Sequence, residues 1–246
     1  VSSPGPLALV GGDEFQPGNE PHDRLLVEAA KSLGDGRSAF VIATAAARHS
    51  PEMAVRTAQE WFRGLGLAVD ELPVRTRSQA MDAAVAERAR EGRFFYLCGG
   101  DPGIVPQVLR DSTVWAAVLD AWRAGAPLAG SSAGAMALGE WTLIRARMPG
   151  DALREPRPGL GLVPETAVLP HYSDFGNRWV VSASELLAGR EVRLLAIDAK
   201  SAAVWVDGRW TSMGAGRSFV VDAEGQPVDG SGSGLDLPQL TGVGPG

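Results

Sequence analysis

Short apolar runs alternate with amphipathic segments through the first half of the chain, and this alternation leaves few folds open. Residues 7–10 read as a first strand, closed by Gly11-Gly12. Residues 23–33 then carry Leu25, Leu26, Ala29, Ala30 and Leu33 at helical spacing. Residues 39–43 are a second strand. Ser50 is placed to cap a helix with Pro51 at its first position and Glu52 in its first turn; Val55, Ala58, Trp61, Phe62 and Leu65 form its inner face. Residues 67–69 start a third strand, and 78–90 a helix with Met81, Val85 and Ala89 turned inward. Residues 94–98 are a fourth strand broken by Gly99-Gly100, and two short helices near 105–110 and 114–123 lead to a fifth strand at 127–129. Strand–helix alternation of this kind predicts an α/β chain, with a mostly parallel sheet covered by helices on both faces.

The pattern is lost over residues 141–158, where Arg145, Arg147, Arg154 and Arg157 accumulate among prolines, and a long loop is expected. An ordinary solvated loop, a cover for a cleft and a packing surface for another subunit are all open readings, so a homodimer is left open. Residues 193–197, 202–206 and 218–221 read as later strands joined by short turns such as Asp207-Gly208, an antiparallel C-terminal extension. No linker divides the chain. Residues 1–224 are expected to form one domain and the Gly/Ser/Pro-rich residues 225–246 a loosely held tail.

Composition narrows the chemistry. With 45% hydrophobic and 21% charged residues, 246 residues can bury a real core. A net charge of -6 offers no electrostatic footprint for nucleic acid or for an anionic membrane, and no apolar run is long enough to span a bilayer. The opening residues lack the basic and apolar regions of a signal peptide, so the cytoplasm is the expected compartment. One Cys and three His exclude a disulfide framework or a zinc finger and argue against a multi-histidine metal site. No metal or other cofactor is expected.

The most informative segment is Gly130-Ser131-Ser132-Ala133-Gly134, a G-x-S-x-G pattern between an apolar strand and an Ala-rich helix. This is the setting of a nucleophile elbow: a sharp turn presents the Ser132 hydroxyl, with the Ala133 N–H and the positive end of the helix aimed at the same point. A serine nucleophile needs a base. His22 and His49 precede the elbow at helix starts and read as ordinary surface; His171, after it, ends an apolar run and is the favoured base. An α/β-hydrolase carries its His near the C-terminus, whereas His171 has a long strand-rich segment after it, which argues against that fold.

Phe95-Tyr-Leu-Cys-Gly-Gly-Asp101, Pro127-Leu-Ala-Gly-Ser-Ser-Ala-Gly-Ala135, Pro158-Gly-Leu-Gly-Leu-Val-Pro164 and Leu169-Pro-His-Tyr172 together resemble the dipeptidase E and cyanophycinase family of serine peptidases. The likeness runs in order over residues 7–221. It implies a class I glutamine amidotransferase-like fold, doubly wound, with Ser132 as nucleophile, His171 as general base and an oxyanion hole from the N–H groups of Gly100 and Ala133. The family carries the acid that orients the base as a Glu in an I-D-E-x-T-A-like stretch. Here that stretch is Ile197-Asp-Ala-Lys-Ser-Ala202 and Ala199 holds the Glu position, so Asp198 is the expected acid; Asp151, Glu155, Glu165 and Asp174 are the other acids near the base in sequence.

The resemblance further implies a small aspartyl-type peptide as substrate. Asp101, Asp174 and Arg178 are the expected contacts, Arg178 for a carboxylate and Asp174 for an amine. The elbow residue is Ser and Cys98 reads as a core residue, which argues against glutamine hydrolysis. Two further readings are kept: a catalytically impaired binding protein, because of Ala199, and a serine esterase.

Overall fold

The computed structural model describes residues 3–145, 154–228 and 234–240. Its larger sheet has seven strands: β1 (Leu7–Val10), β2 (Ala39–Ile42), β3 (Asp70–Glu71), β4 (Phe94–Leu97), β5 (Leu128–Ser131), β10 (Ser201–Val206) and β11 (Arg209–Gly214), in the spatial order β11-β10-β1-β5-β4-β2-β3. The pairs among β1 to β5 are parallel; β10 and β11 add an antiparallel edge. Of the three later strands the sequence predicts, only 202–206 lies in this edge, and β11 is a strand it does not predict.

Strand side chains alternate between faces, so a sheet buried on both sides must be apolar at every position. β1, β2 and β4 are buried throughout. Leu7, Leu9, Phe40, Ile42, Phe95 and Leu97 face one core, with α4 (Ala83–Arg90), α5 (Ile104–Leu109), α6 (Thr113–Arg123) and α7 (Ala133–Leu138). Ala8, Val10, Val41, Phe94, Tyr96 and Cys98 face the other, filled by Leu26, Val27 and Ala30 of α1 (Glu20–Ser32) and Val55, Ala58 and Phe62 of α2 (Pro51–Gly64). At about 25 cal/mol per Å² of apolar surface, these two cores are the main source of stability.

A second, five-stranded sheet departs from the predicted single sheet. Its order is β12-β9-β8-β6-β7, from β6 (Gly139–Arg145), β7 (Arg154–Pro158), β8 (Val163–Leu169), β9 (Arg193–Ile197) and β12 (Ser218–Val221). The expected loop at 141–158 is therefore largely an antiparallel β6–β7 pair, with Leu143 opposite Pro156. Arg147 and Asp151 lie outside the described residues.

Local differences have local causes. The helix predicted at 78–90 is two, α3 (Arg77–Ala80) and α4, because the Asp82 carboxylate accepts the Ala84 N–H (2.8 Å) and starts a new helix; Met81 is exposed at the break. Ser50 is left-handed (φ 48°) and makes no side-chain cap. The third strand is displaced to Asp70–Glu71, with Leu67 and Val69 buried on the way in. Within the predicted tail, Leu237 and Leu240 are buried and the Trp210 indole N–H donates to the Pro238 carbonyl (3.0 Å).

Candidate active site

The carboxyl ends of β1, β4, β5 and β8 converge on one cleft of about 1300 Å³. From β5 the chain turns at Ser132, whose φ of 47° and ψ of -111° lie outside the ordinary regions. Such a conformation costs on the order of 1–3 kcal/mol and persists only when its surroundings fix it. They do: a Cβ on Gly130 would lie 2.6 Å from the Gly134 backbone, and one on Gly134 would lie 2.4 Å from the Leu97 carbonyl. The Ser132 N–H donates to the Val10 carbonyl (2.9 Å), which ties the turn to β1.

Ser132 opens α7, and Gly100 and Ala133 line the same cleft. Among the described residues neither N–H has a hydrogen-bond partner. Two unpaired donors beside a strained serine are what a developing oxyanion needs.

His171 follows β8 and enters α8 (Tyr172–Leu187) in the left-handed conformation (φ 47°, ψ 44°). Its N–H donates to the Gly11 carbonyl (2.8 Å), so the same end of β1 anchors both Ser132 and His171. The imidazole is about one quarter exposed in the cleft, 6.2 Å from the Phe175 ring centre. No hydrogen bond joins it to Ser132; such contacts are often long before substrate binds.

The predicted acid is placed elsewhere. The Asp198 carboxylate accepts the Arg217 N–H (3.1 Å) and lines a neighbouring cavity of about 630 Å³, with Tyr172, Asp174 and Arg217. Glu155 pairs with Arg157 (2.6 Å) and Glu165 with Arg193 (2.8 Å). The carboxylate against His171 is Asp13, with 4.0 Å between its Oδ1 and the imidazole Nδ1. In the sequence, Gly11-Gly12 reads only as the end of a strand and nothing local marks Asp13 as a partner of His171.

Nor does the sequence single out Glu14. Its Oε1 accepts the Gly99 N–H (2.9 Å) and its Oε2 the Ser131 hydroxyl (2.8 Å), bracing the loop after β4 against the elbow. The only legible signal was two acids directly after a glycine-ended strand.

Of the predicted substrate contacts, Asp101 lines the main cleft, where its Oδ1 accepts the Gly103 N–H (2.9 Å). Arg178 lines both cavities and Asp174 only the smaller one. Arg48 and Arg154 add positive charge to the main cleft, Arg154 lying over the Trp179 ring (5.4 Å). Among the described residues no three His, Cys, Asp or Glu side chains group as metal ligands, and no helix is long and apolar enough to cross a membrane.

The other reactive side chains are placed differently. His49 lines the cleft rim, exposed. His22, expected at the surface, is fully buried beside Asp23. Burial pushes the His22 pKa down to about 4 and the Asp23 pKa up to about 7. Burial also raises the Cys98 thiol far above its usual range, which keeps it protonated and inert, as a core residue should be.

Residues 7–212 match the model of peptidase family S51. No curated protein sequence matches the chain. Among solved structures, a peptidase from an acI-B1 Actinobacterium is 25% identical, with a TM-score of 0.77 over 98% of this chain and 96% of that one. A peptidase E-type protein from Listeria monocytogenes EGD-e, 17% identical, shares the fold, with a TM-score of 0.60 over 87% of this chain and 100% of that one. The family match covers most of the chain, including the elbow and His171: this protein belongs to peptidase family S51 and is a serine-type peptidase.

Proposed function

We propose that the enzyme hydrolyses small aspartyl-type peptides, α- or β-linked, through an acyl-enzyme on Ser132. The observation that carries this reading is the strained Ser132 turn, which shares a cleft with two unpaired N–H donors and His171. In the reaction, the Ser132 Oγ attacks the scissile carbonyl and its proton passes to His171. The carbonyl oxygen, now negative, sits between the Gly100 and Ala133 N–H groups. His171 then gives the proton to the leaving amine, and water, activated by the same imidazole, releases the acid product.

Specificity for an aspartyl side chain is supported by the cleft's cations. Arg178 stands where the two cavities meet, its guanidinium 5.9 Å from the Phe175 ring centre, and is assigned to the substrate carboxylate. Asp174, in the adjoining cavity, is assigned to the substrate amine, and Asp101, lining the main cleft, to a further substrate contact. The single buried cysteine is in keeping with a reducing compartment, so the proposal keeps the cytoplasm.

The test is a fluorophosphonate probe followed by a substrate panel. The probe labels wild type and fails on Ser132→Ala. In the panel, α-Asp and β-Asp dipeptides are cleaved faster than neutral dipeptides and simple esters. A folded protein that does not label sinks the reading; preference for esters moves it to an esterase.

A further inference from the structure

We infer that Asp13, on the turn after β1, is the carboxylate that orients His171, in place of an acid on the strand after it. The inference rests on the Ser132–His171 reading above. The turn from Gly11 to Asp13 grips His171 at three successive positions. Gly11 accepts the His171 backbone N–H (2.8 Å). Gly12 lies so close under the imidazole that a Cβ there would sit 2.1 Å from Nε2, and its φ of 119° also excludes other residues. Asp13 then brings Oδ1 to 4.0 Å from Nδ1, a gap that one rotation of the half-exposed carboxylate, or one bridging water, closes.

The turn is itself held. The buried Asn19 amide donates to the Asp13 carbonyl (2.8 Å), which fixes a backbone at φ 52°. Three other carboxylates near the site are committed: Asp198 to the Arg217 N–H, Asp101 to the Gly103 N–H, and Glu14 to Gly99 and Ser131; Asp174 lines only the neighbouring cavity. Among the described residues, the Asp13 side chain has no partner besides His171. With Asp13 accepting from Nδ1–H, the Nε2 lone pair is left to take the Ser132 proton. Asp13 then steadies the imidazolium that forms. Asp13 is therefore a positioning residue, acting through His171.

The experiment measures the rate of fluorophosphonate labelling in the full chain. In that step the Ser132 Oγ–P bond forms, the P–F bond breaks, fluoride leaves and the Ser132 proton goes to His171. Asn is at home in the left-handed region, so Asp13→Asn leaves the turn intact while removing the charge. It is expected to slow labelling by about a hundredfold or more, as loss of a triad acid does elsewhere. Asp13→Glu recovers at least a tenth of the wild-type rate, and Asp198→Asn stays within about threefold of it. Nitrogen-15 NMR of the imidazoles supplies a readout that a structural role would not move. With three histidines, His171 is assigned by comparison with His171→Gln. Its neutral ring is held as the Nδ1–H tautomer in wild type, and Asp13→Asn redistributes the tautomers. Wild-type labelling and an unchanged tautomer in Asp13→Asn would overturn the inference and leave the peptidase reading standing. So would a loss confined to Asp198→Asn. Absence of labelling in wild type overturns both.

Discussion

Two histidine–aspartate pairs sit in this molecule at nearly the same separation, and they are opposites. His22 Nε2 and Asp23 Oδ1 are 3.8 Å apart; His171 Nδ1 and Asp13 Oδ1 are 4.0 Å apart. The first pair is wholly buried; the second is about one quarter and one half exposed. Burial disfavours charge on both members of the first pair, and neither imidazole nitrogen of His22 finds a hydrogen bond among the described residues. The second pair borders a cleft that also holds a strained serine and two unpaired donors. Separation alone does not make a catalytic pair. What distinguishes His171 is its partial exposure and the strained Ser132, the proposed nucleophile, in the same cleft.

The largest expected effect sets the two histidines against each other. His171→Ala is expected to lower kcat/KM by about 10⁴-fold or more, with a thermal midpoint close to that of wild type. His22→Met removes buried nitrogens with no partner and keeps the volume. It is expected to leave kcat/KM within twofold and to hold or raise the midpoint. Steady-state kinetics beside calorimetry read both. Loss of activity in folded His22→Met would erase the contrast.

Glu14 lies between the two regions, bonded to the elbow and close enough to disfavour the Asp23 charge. Glu14→Ala leaves the Gly99 N–H and the Ser131 hydroxyl without acceptors, at about 1–3 kcal/mol each. It also frees the loop that carries the Gly100 N–H. A fall in kcat of about a hundredfold is expected, with KM little changed. A KM effect alone would show that the brace serves binding instead.

The parallel sheet was legible because both its faces are buried. Residues such as Phe94, Phe95 and Tyr96 are apolar in succession, as a strand covered on both faces requires. The strained Ser132 turn was legible because its glycines, its serine and its helix are contiguous. The second sheet was not. β7 reads Arg-Glu-Pro-Arg-Pro, which carries no strand propensity, and it is a strand only because β6 pairs with it at the sheet's edge. Asp13 was hidden for a similar reason. Its meaning depends on Gly11 accepting the N–H of a residue far away in sequence, and no local pattern encodes that bond. His22 read as surface because it sits near a helix start beside Pro21 and Asp23, yet α1 turns that end into the core.

The buried pair should write its presence into the pH dependence of stability. Asp23 titrates near 7 in the fold against an ordinary 3.8, so between those values the folded state holds a proton that the unfolded chain has lost. Stability from Asp23 therefore falls as pH rises from about 4 to about 7. His22 titrates near 4 in the fold against an ordinary 6.5, so the unfolded chain takes up the extra proton. Its contribution falls in the other direction, as pH drops from 6.5 to about 4. In wild type the two slopes oppose and largely cancel. Asp23→Asn leaves only the histidine's slope, so urea midpoints rise from pH 4 to 6.5 and then hold. At pH 8 the variant exceeds wild type by on the order of 2–4 kcal/mol. Equal midpoints for the two proteins at pH 8 would mean that Asp23 carries its charge at no cost.

The smallest effect expected is at Trp61, whose indole N–H donates to Asp23 Oδ2 (2.8 Å). That bond favours the charged carboxylate, against the burial that opposes it. Trp61→Phe removes the donor and keeps most of the ring, at about 1 kcal/mol of stability. The Asp23 titration should move further upward, so the falling limb of stability extends past pH 7. Activity should not change, since nothing in the His171 cleft touches this bond. A shifted stability limb with unaltered kinetics would show that the two pairs are electrostatically separate. A matching change in kcat would show that charge on the buried pair is felt at the elbow through Glu14, and the contrast between them would be one of degree.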